Sequence, residues 1–461
     1  MSGQNEIWDP LGAIPSARRW LWAVLTVITC ITQGPTFVDS LRPAPKEGVD
    51  FFQEWASARN LRQGLPIYTD LEQTADLYLG YKRGPGEEML FMKNAHPPTS
   101  VLLALPFALL DYPNATLSWN LISLAALAVS MWLIGRGLGL KPEPWLILPA
   151  IALLLICNPL RQQVNQGQLN LVLLLLFTMI WIAESSGRQR WAGVLLGTAT
   201  AIKLFPGFLF LHFLLRRRWT TVVVGVGAFA AATTLTIVIL GVETYETYLS
   251  QVLPHVSVYR NGWINASLAG FWTKWFGAGA TSPMPLPGLP RYLPPLVVNT
   301  VLARAGLVVS ALAVLILWGR AVLRARSPQE TDMAFGLTLT AMLLLSPITW
   351  EHYFLFLALP LTQLWIALSV TRGPRILLLL ILVCIWINPL SFWTALIPGP
   401  GDGGGTPFRS LTAVSFQCFA LIGVFALGLK ALALQDRRSN EHADGSAALA
   451  PVSAAGNRPL L

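Results

Sequence analysis

Long apolar runs, interrupted by clusters of arginine, proline and glycine, dominate the chain. A helix needs about 20 apolar residues to cross a bilayer core, because every backbone polar group must be satisfied internally there. Charge-free stretches of that order cover residues 20–38, 112–135, 219–242, 305–319, 333–350, 353–371, 376–401 and 410–429. Shorter or interrupted ones cover 97–110, 145–160, 168–183 and 191–215. Together they predict an all-α polytopic membrane protein of about 12 transmembrane helices. The first stretch is too long for a cleavable signal and has no small-residue cleavage site behind it.

Between the spans the pattern changes. Two long connections, 39–96 and 241–296, separate the apolar runs and are expected on the non-cytoplasmic side. The first contains an amphipathic helix over 51–63, ended by Gly64 and Pro66. That helix is expected to lie along the membrane surface with Phe51, Phe52 and Trp55 in the interface. The second, rich in proline and glycine over 277–295, reads as an irregular lid. From 435 the chain turns polar and small, as a disordered cytoplasmic tail would, leaving 1–434 as one transmembrane domain. No internal repeat of the kind many carriers show is visible.

Composition agrees. Of 461 residues, 54% are hydrophobic and only 12% charged, half the usual solvating charge of soluble domains. The mean hydropathy is +0.55. Soluble enzymes, nucleic-acid binders and disordered scaffolds are disfavoured together. The net charge of +9 is mostly a topology signal. Arg18 and Arg19, Arg216 to Arg218, Arg320, Arg324 and Arg326, Arg372 and Arg375, and Arg437 and Arg438 all fall on one face when crossings are counted, the cytoplasmic one. Arg188 and Arg190 fall on the wrong face in that count, and the break at 203–206 suggests that the sixth segment is bent or re-entrant. Cys30, Cys157, Cys384 and Cys418 are too scattered for a metal knuckle or a disulfide framework.

Polar groups at membrane depth are costly and mark function more often than in water. Asp50, just before the 51–63 helix, is either a helix cap or a carboxylate facing a lipid-borne substrate. His96 is followed by two prolines that fix the chain's direction; alone it reads as an interfacial histidine. The amide run NPLRQQVNQGQLN (158–170) reads first as a polar turn. NGWINAS (261–267) holds a glycosylation sequon at Asn265, or amides facing a sugar. Glu351 and His352, in SPITWEHY, stand on a short outer connection where a turn needs no such pair, and here function is preferred. Lys203 inside an apolar segment is either functional or snorkels to the nearer surface.

Six of these pieces, in order between about residues 40 and 370, resemble glycosyltransferase family 87: VDFFQEWASARNLRQGLPIY, HPPTSVLLALP, NQGQLNLVLLLL, AIKLFPGFLFLHFLLRRRW, NASLAGF and SPITWEHYF. The resemblance implies a GT-C membrane fold and a bacterial cell-membrane hexosyltransferase, of the kind that takes mannose from polyprenyl phosphate to a lipid or glycan acceptor. Asp50 matches the acidic residue of the first extracytoplasmic loop and would be the general base. His352, in the family's Trp-acid-His-Tyr segment, would lie near the donor phosphate; the family often has aspartate where this chain has Glu351. His96, Lys203, Arg42, Lys46 and Asn265 are further candidates for holding substrate. Asp39, Glu47 and Asp50 share a loop, yet no obligatory metal or other cofactor is expected. With no phosphate-cradling glycine loop between strand and helix, a nucleotide-sugar donor is unsupported. The rival readings are an envelope polysaccharide polymerase or ligase and a lipid or solute carrier.

Overall fold

The computed structural model describes residues 16–44, 49–80, 93–141, 143–282, 286, 288–369, 371–399 and 405–448. Most of it is helix; the sole sheet among the described residues pairs Ala280–Thr281 with Tyr292–Leu293, antiparallel, in the second long connection. Every apolar stretch read from the sequence is helical over most of its described length. Five helices are long and apolar enough to cross a membrane: Arg18–Leu41, Tyr112–Gly137, Trp219–Leu240, Thr300–Arg324 and Pro407–Gln435. Two bent pairs raise the number to seven if each is one span, Pro144–Leu155 with Asn158–Gln166 at 66° and Arg372–Trp386 with Pro389–Leu396 at 91°. In both pairs a proline stands in the first turn of the second helix, Pro159 at its second position and Pro389 at its first, where a missing N–H costs nothing. The expected figure of about 12 is therefore resolved only to five to seven spans plus shorter apolar helices.

Two segments differ from the expected path, and the differences fix the layout. The stretch 97–110 does not traverse the bundle. It forms a short helix, Pro98–Ala104, and a 3-10 turn, Leu105–Leu109. Its start meets Thr236 and Tyr245 through the Thr99 hydroxyl (3.2 and 3.0 Å). At its other end Arg59 donates to Leu110 O (3.0 Å) and Arg62 to Ala108 O (2.9 Å). The sixth stretch is a hairpin of two helices, Gln189–Ile202 and Phe208–Leu215, with Lys203 at its tip in extended conformation (φ −140°, ψ 143°) and Pro206 beyond. Helix Gln189–Ile202 runs beside and parallel to Trp219–Leu240. A Cβ on Gly193 would lie 2.7 Å from Thr221 O, and one on Gly197 only 2.3 Å from Gly225 O. Glycine is required by that close approach.

These changes return Arg188 and Arg190 to the end shared by Arg216, Arg217 and Arg218. Thr221 Oγ1 donates to Gln189 O (3.2 Å), Arg218 pairs with Glu184 (2.6 Å), and Arg216 donates to Thr331 (3.0 Å). Trp181 and Ser185 both donate to Asp332 at this end (2.7 and 2.9 Å). The same changes carry the amide run 158–170 to the opposite end, beside Asp50.

The helix Phe51–Arg62 is not a surface helix. Nine of its residues are buried, among them Phe51, Phe52 and Trp55. Phe51 stacks on Trp119 (5.3 Å), and Phe52 and Trp55 pack on Tyr112 (each 5.3 Å). Aromatic burial against Tyr112–Gly137 thus replaces the expected lipid contact. The second long connection is ordered around the helix Leu268–Phe276, whose Lys274 is fully buried and donates to the carbonyls of Trp263, Asn265 and Val414 (3.1, 2.9 and 3.2 Å). The last helix continues to Ala448, so the backbone is helical well into the stretch expected as a disordered tail. Polar composition alone did not stop it; no proline follows Pro407 before Pro451.

Candidate active site at the end opposite the basic clusters

Asp50 occupies the cap position of Phe51–Arg62 but does not cap it. Its backbone is helical (φ −54°, ψ −34°), and its side chain accepts no hydrogen bond from the first turn. Instead Gln168 Nε2 donates to Asp50 Oδ2. A bond from Val49 N to the Tyr112 hydroxyl (2.9 Å) anchors the entry to the helix. The cap reading of Asp50 is thereby excluded for this conformation. Burial raises the Asp50 pKa above 3.8; Glu54 adds to the rise, while Gln168, His96 and Lys203 oppose it.

Lys203 does not snorkel. It is buried, 4% exposed, and donates to Gln168 Oε1 (3.0 Å), Asn170 Oδ1 (3.2 Å) and the Tyr353 hydroxyl (3.5 Å). Asn170 Nδ2 in turn donates to Gln163 Oε1 (3.1 Å), and Gln163 Nε2 to the carbonyl of Gln168. Each amide in this chain has its oxygen and nitrogen assigned by a neighbour that can only donate or only accept. The run read as a polar turn is therefore the wall of the site, delivered by Asn158–Gln166 and its left-handed terminator Gly167 (φ +63°).

His96 joins from the first connection. Its Nδ1 meets Glu54 Oε1 in a close hydrogen-bonding contact, and its carbonyl accepts from Tyr68 (2.7 Å). The segment before it is stitched to the same helix: Ala95 N donates to Gln53 Oε1 (2.9 Å) and Asn94 Nδ2 to Ser57 Oγ (3.1 Å). Pro98 takes the first helical position, as two prolines there predict.

Glu351 and His352 open a 3-10 helix, Glu351–Leu357. Three residues per turn send adjacent side chains about 120° apart. Glu351 accepts from Asn158 Nδ2 (2.6 Å), with Gln417 alongside, and burial pushes its pKa up to about 7. His352 faces the Lys203 side, its ring against Tyr353 (5.1 Å). It is buried, and neither ring nitrogen has a hydrogen-bond partner among the described residues. Burial lowers its pKa well below 6.5, with Lys203 and His96 adding to the fall, so it is a neutral donor rather than a cation. A buried ring with both nitrogens unpaired is costly unless something fills the gap.

Not all candidates converge. Arg42 is exposed, and its charge is felt by Asp111 rather than by Asp50. Asn265 is fully buried as a clamp: Nδ2 donates to Arg260 O (2.7 Å) and Pro347 O (3.1 Å), and Oδ1 accepts from Ser267 N (3.1 Å) and Thr349 N (2.9 Å). It holds no spare donor, so both the sequon and the sugar-facing readings give way to a structural one. Lys46 and Glu47 lie outside the described residues. The structure adds Glu54, Gln168, Asn170, Tyr353 and Tyr259, the last near enough to Asp50 to feel its charge. Beside Tyr259 opens a cavity of about 130 Å³ lined also by Lys93, Ala95, Gln251 and His255. Glu54 was findable, standing four residues after Asp50 on one helical face. Tyr259 carried no sequence signal.

The profile of glycosyltransferase family 87 matches residues 94–347. A polyprenol-phosphate-mannose-dependent alpha-(1-2)-phosphatidylinositol pentamannoside mannosyltransferase from Mycolicibacterium smegmatis is 29% identical over 287 residues, which are 61% of this chain and 63% of that protein. A polyprenol-phosphate-mannose-dependent alpha-(1-2)-phosphatidylinositol mannoside mannosyltransferase from Mycobacterium tuberculosis is 27% identical over 437 residues, covering 89% and 91%. The apo crystal structure of ArnT from Cupriavidus metallidurans overlays 91% of this chain and 78% of that one at 13% identity, but its TM-score of 0.33 is too low to support a fold assignment.

Proposed function

The chain belongs to glycosyltransferase family 87, and from that membership we propose that it transfers a hexose, mannose by the example of its relatives, from polyprenyl phosphate to a lipid or glycan acceptor. The relatives act on phosphatidylinositol mannosides, and an acceptor of that class is our reading here. The basic end is taken as cytoplasmic. The site then opens outward at the plasma membrane, on a GT-C architecture.

One observation carries the reading: Asp50 is released from capping and held by Gln168 beside the buried Lys203 and the unpaired His352. The acceptor hydroxyl oxygen attacks the anomeric carbon as the bond to the phosphate oxygen breaks. Its proton passes to Asp50, and polyprenyl phosphate departs with the bonding electrons. Phosphate needs no general acid; a positioned base suffices. Direct attack on a β-linked donor inverts it to an α product. Lys203 spends its three N–H groups on Gln168, Asn170 and Tyr353, so it acts on the leaving phosphate as a fixed charge. His352, with an unpaired ring N–H, is the group assigned to touch that phosphate. The cavity lined by Tyr259, whose hydroxyl feels the Asp50 charge, is where the acceptor would approach.

A carrier would place its polar groups near mid-membrane, where a substrate must pass; here they gather at one end. The test uses purified protein with synthetic polyprenyl-phosphate-mannose and a phosphatidylinositol mannoside. We expect addition of one sugar, unaffected by chelator. Chain growth would favour the polymerase reading, and direct use of a nucleotide sugar would defeat ours.

A further inference from the structure

We infer that Gln168 is the positioning residue of this site: its amide, held between Lys203 and Asp50, sets the direction in which the carboxylate meets the acceptor. The inference rests on Asp50 being the base. Lysine can only donate, so Lys203 takes the amide oxygen of Gln168 at 3.0 Å. The amide NH2 is then left to face Asp50, where an ionised carboxylate can only accept. Only Oδ2 is engaged in this way, leaving Oδ1 for the acceptor's proton.

The amide is itself fixed. Gln168 N donates to Gln163 O (3.2 Å), and the Gln168 carbonyl accepts from Gln163 Nε2 and from Trp119 Nε1 (3.4 Å). Gly167 before it is left-handed, and a Cβ there would lie 2.7 Å from the Cβ of Phe51, the residue following Asp50. The turn bearing Gln168 and the helix start bearing Asp50 are therefore locked together, although the two residues are 118 positions apart. A merely structural glutamine would not need both ends of its amide on the charged groups of one site.

The charged and titratable groups facing Asp50 are Glu54 on its own helix, His96 from the segment before Pro97, Lys203 at the hairpin tip, Tyr259 from the second connection and Tyr353 from the 3-10 turn. Against that background the bond from Gln168 favours the ionised form of Asp50. Its loss should make the base harder to ionise.

The experiment measures kcat against pH at saturating donor for the full chain, for Gln168→Met and for Gln168→Glu, with Asp50→Asn alongside. Gln168→Met keeps the volume and removes both bonds. We expect kcat to fall about ten- to a hundredfold, as a misdirected catalytic group does, and the acid limb to move to higher pH. Donor KM should change little, since Lys203 keeps Asn170 and Tyr353. Gln168→Glu keeps an acceptor for Lys203 but sets two carboxyls to share one proton, so its acid limb should move further up. If the Met variant does not fold, the Glu variant decides alone. A folded variant whose acid limb stays at the wild-type position overturns the inference, with the role of Asp50 still standing if Asp50→Asn is inactive. An active Asp50→Asn removes the base and this inference with it.

Discussion

Replacing Asp50 by asparagine separates two roles that ordinarily coincide at a helix start. Asparagine caps about as well as aspartate and keeps its size, so a capping role would leave stability and turnover near normal. Here no cap bond exists to lose, and Gln168 Nε2 can donate to the new amide oxygen as it did to Oδ2. What disappears is the charge. Because burial holds the Asp50 carboxyl above its ordinary pKa, the folded state binds its proton more tightly than the unfolded chain does. Stability therefore falls as pH rises from the unfolded pKa through the folded one, and above it the deficit is about 1.4 kcal/mol for each unit of displacement. Asp50→Asn abolishes that deficit. The variant should match or exceed the wild type in thermal unfolding at pH 8, with the advantage vanishing below about pH 4, the ordinary aspartate range. Turnover should drop about 10²- to 10⁴-fold, the usual worth of a positioned base. The assays are thermal unfolding in detergent at the two pH values and single-sugar transfer from polyprenyl-phosphate-mannose. A variant less stable at pH 8 than the wild type, yet turning over within a few-fold of it, would refute the reasoning.

Two further expectations follow from the layout. In a background lacking Cys30, Cys157, Cys384 and Cys418, single cysteines at positions 188 and 217 should react with an impermeant thiol reagent only after cells are permeabilised, whereas position 260 should react in intact cells; labelling 188 with 260 would show that the hairpin ending at Lys203 is misplaced. Asn265→Ala strips the acceptor from two buried backbone N–H groups, of Ser267 and Thr349, each worth about 1–3 kcal/mol when left unpaired, so thermal unfolding should occur several degrees lower while the protein's mass shows no attached glycan at Asn265 in the wild type.

Apolar periodicity was enough to find the helices, because hydrocarbon-facing segments must be long and uninterrupted. It could not say which of them cross. The stretch 97–110 is as apolar as a short span, yet it lies against Phe51–Arg62, held by Arg59 and Arg62. Counting it as a crossing and the 191–215 stretch as one helix reversed every segment between them. That reversal is what stranded Arg188 and Arg190 and hid the amide run on the wrong side. The arginines were the warning, and the extended break at Lys203 was its cause. Asp50 and His352 were visible as polar residues that their surroundings did not require. Gln168 and Asn170 stood out only as part of the 158–170 run and read as a polar turn, since an amide in a turn is the ordinary way to satisfy a helix end.

The hairpin explains why a lysine can stand in an apolar stretch at all. A lysine within a continuous span would have to face lipid or reach a surface. Ending the helix at Ile202 frees Lys203 from the helical register, and the extended backbone turns its side chain into the interior. Three acceptors, two from the 168–170 turn and one from the 3-10 helix, then meet its three N–H groups. Gly193 and Gly197 allow the supporting helix to press against Trp219–Leu240, which fixes its lateral position. Enlarging either glycine would push the supporting helix away from Trp219–Leu240 and so displace the charge relative to Asp50 and His352, without touching any group assigned to contact substrate. The charge is thus placed by backbone packing at the far end of the hairpin, and the site it serves is assembled from segments that only the corrected path brings together.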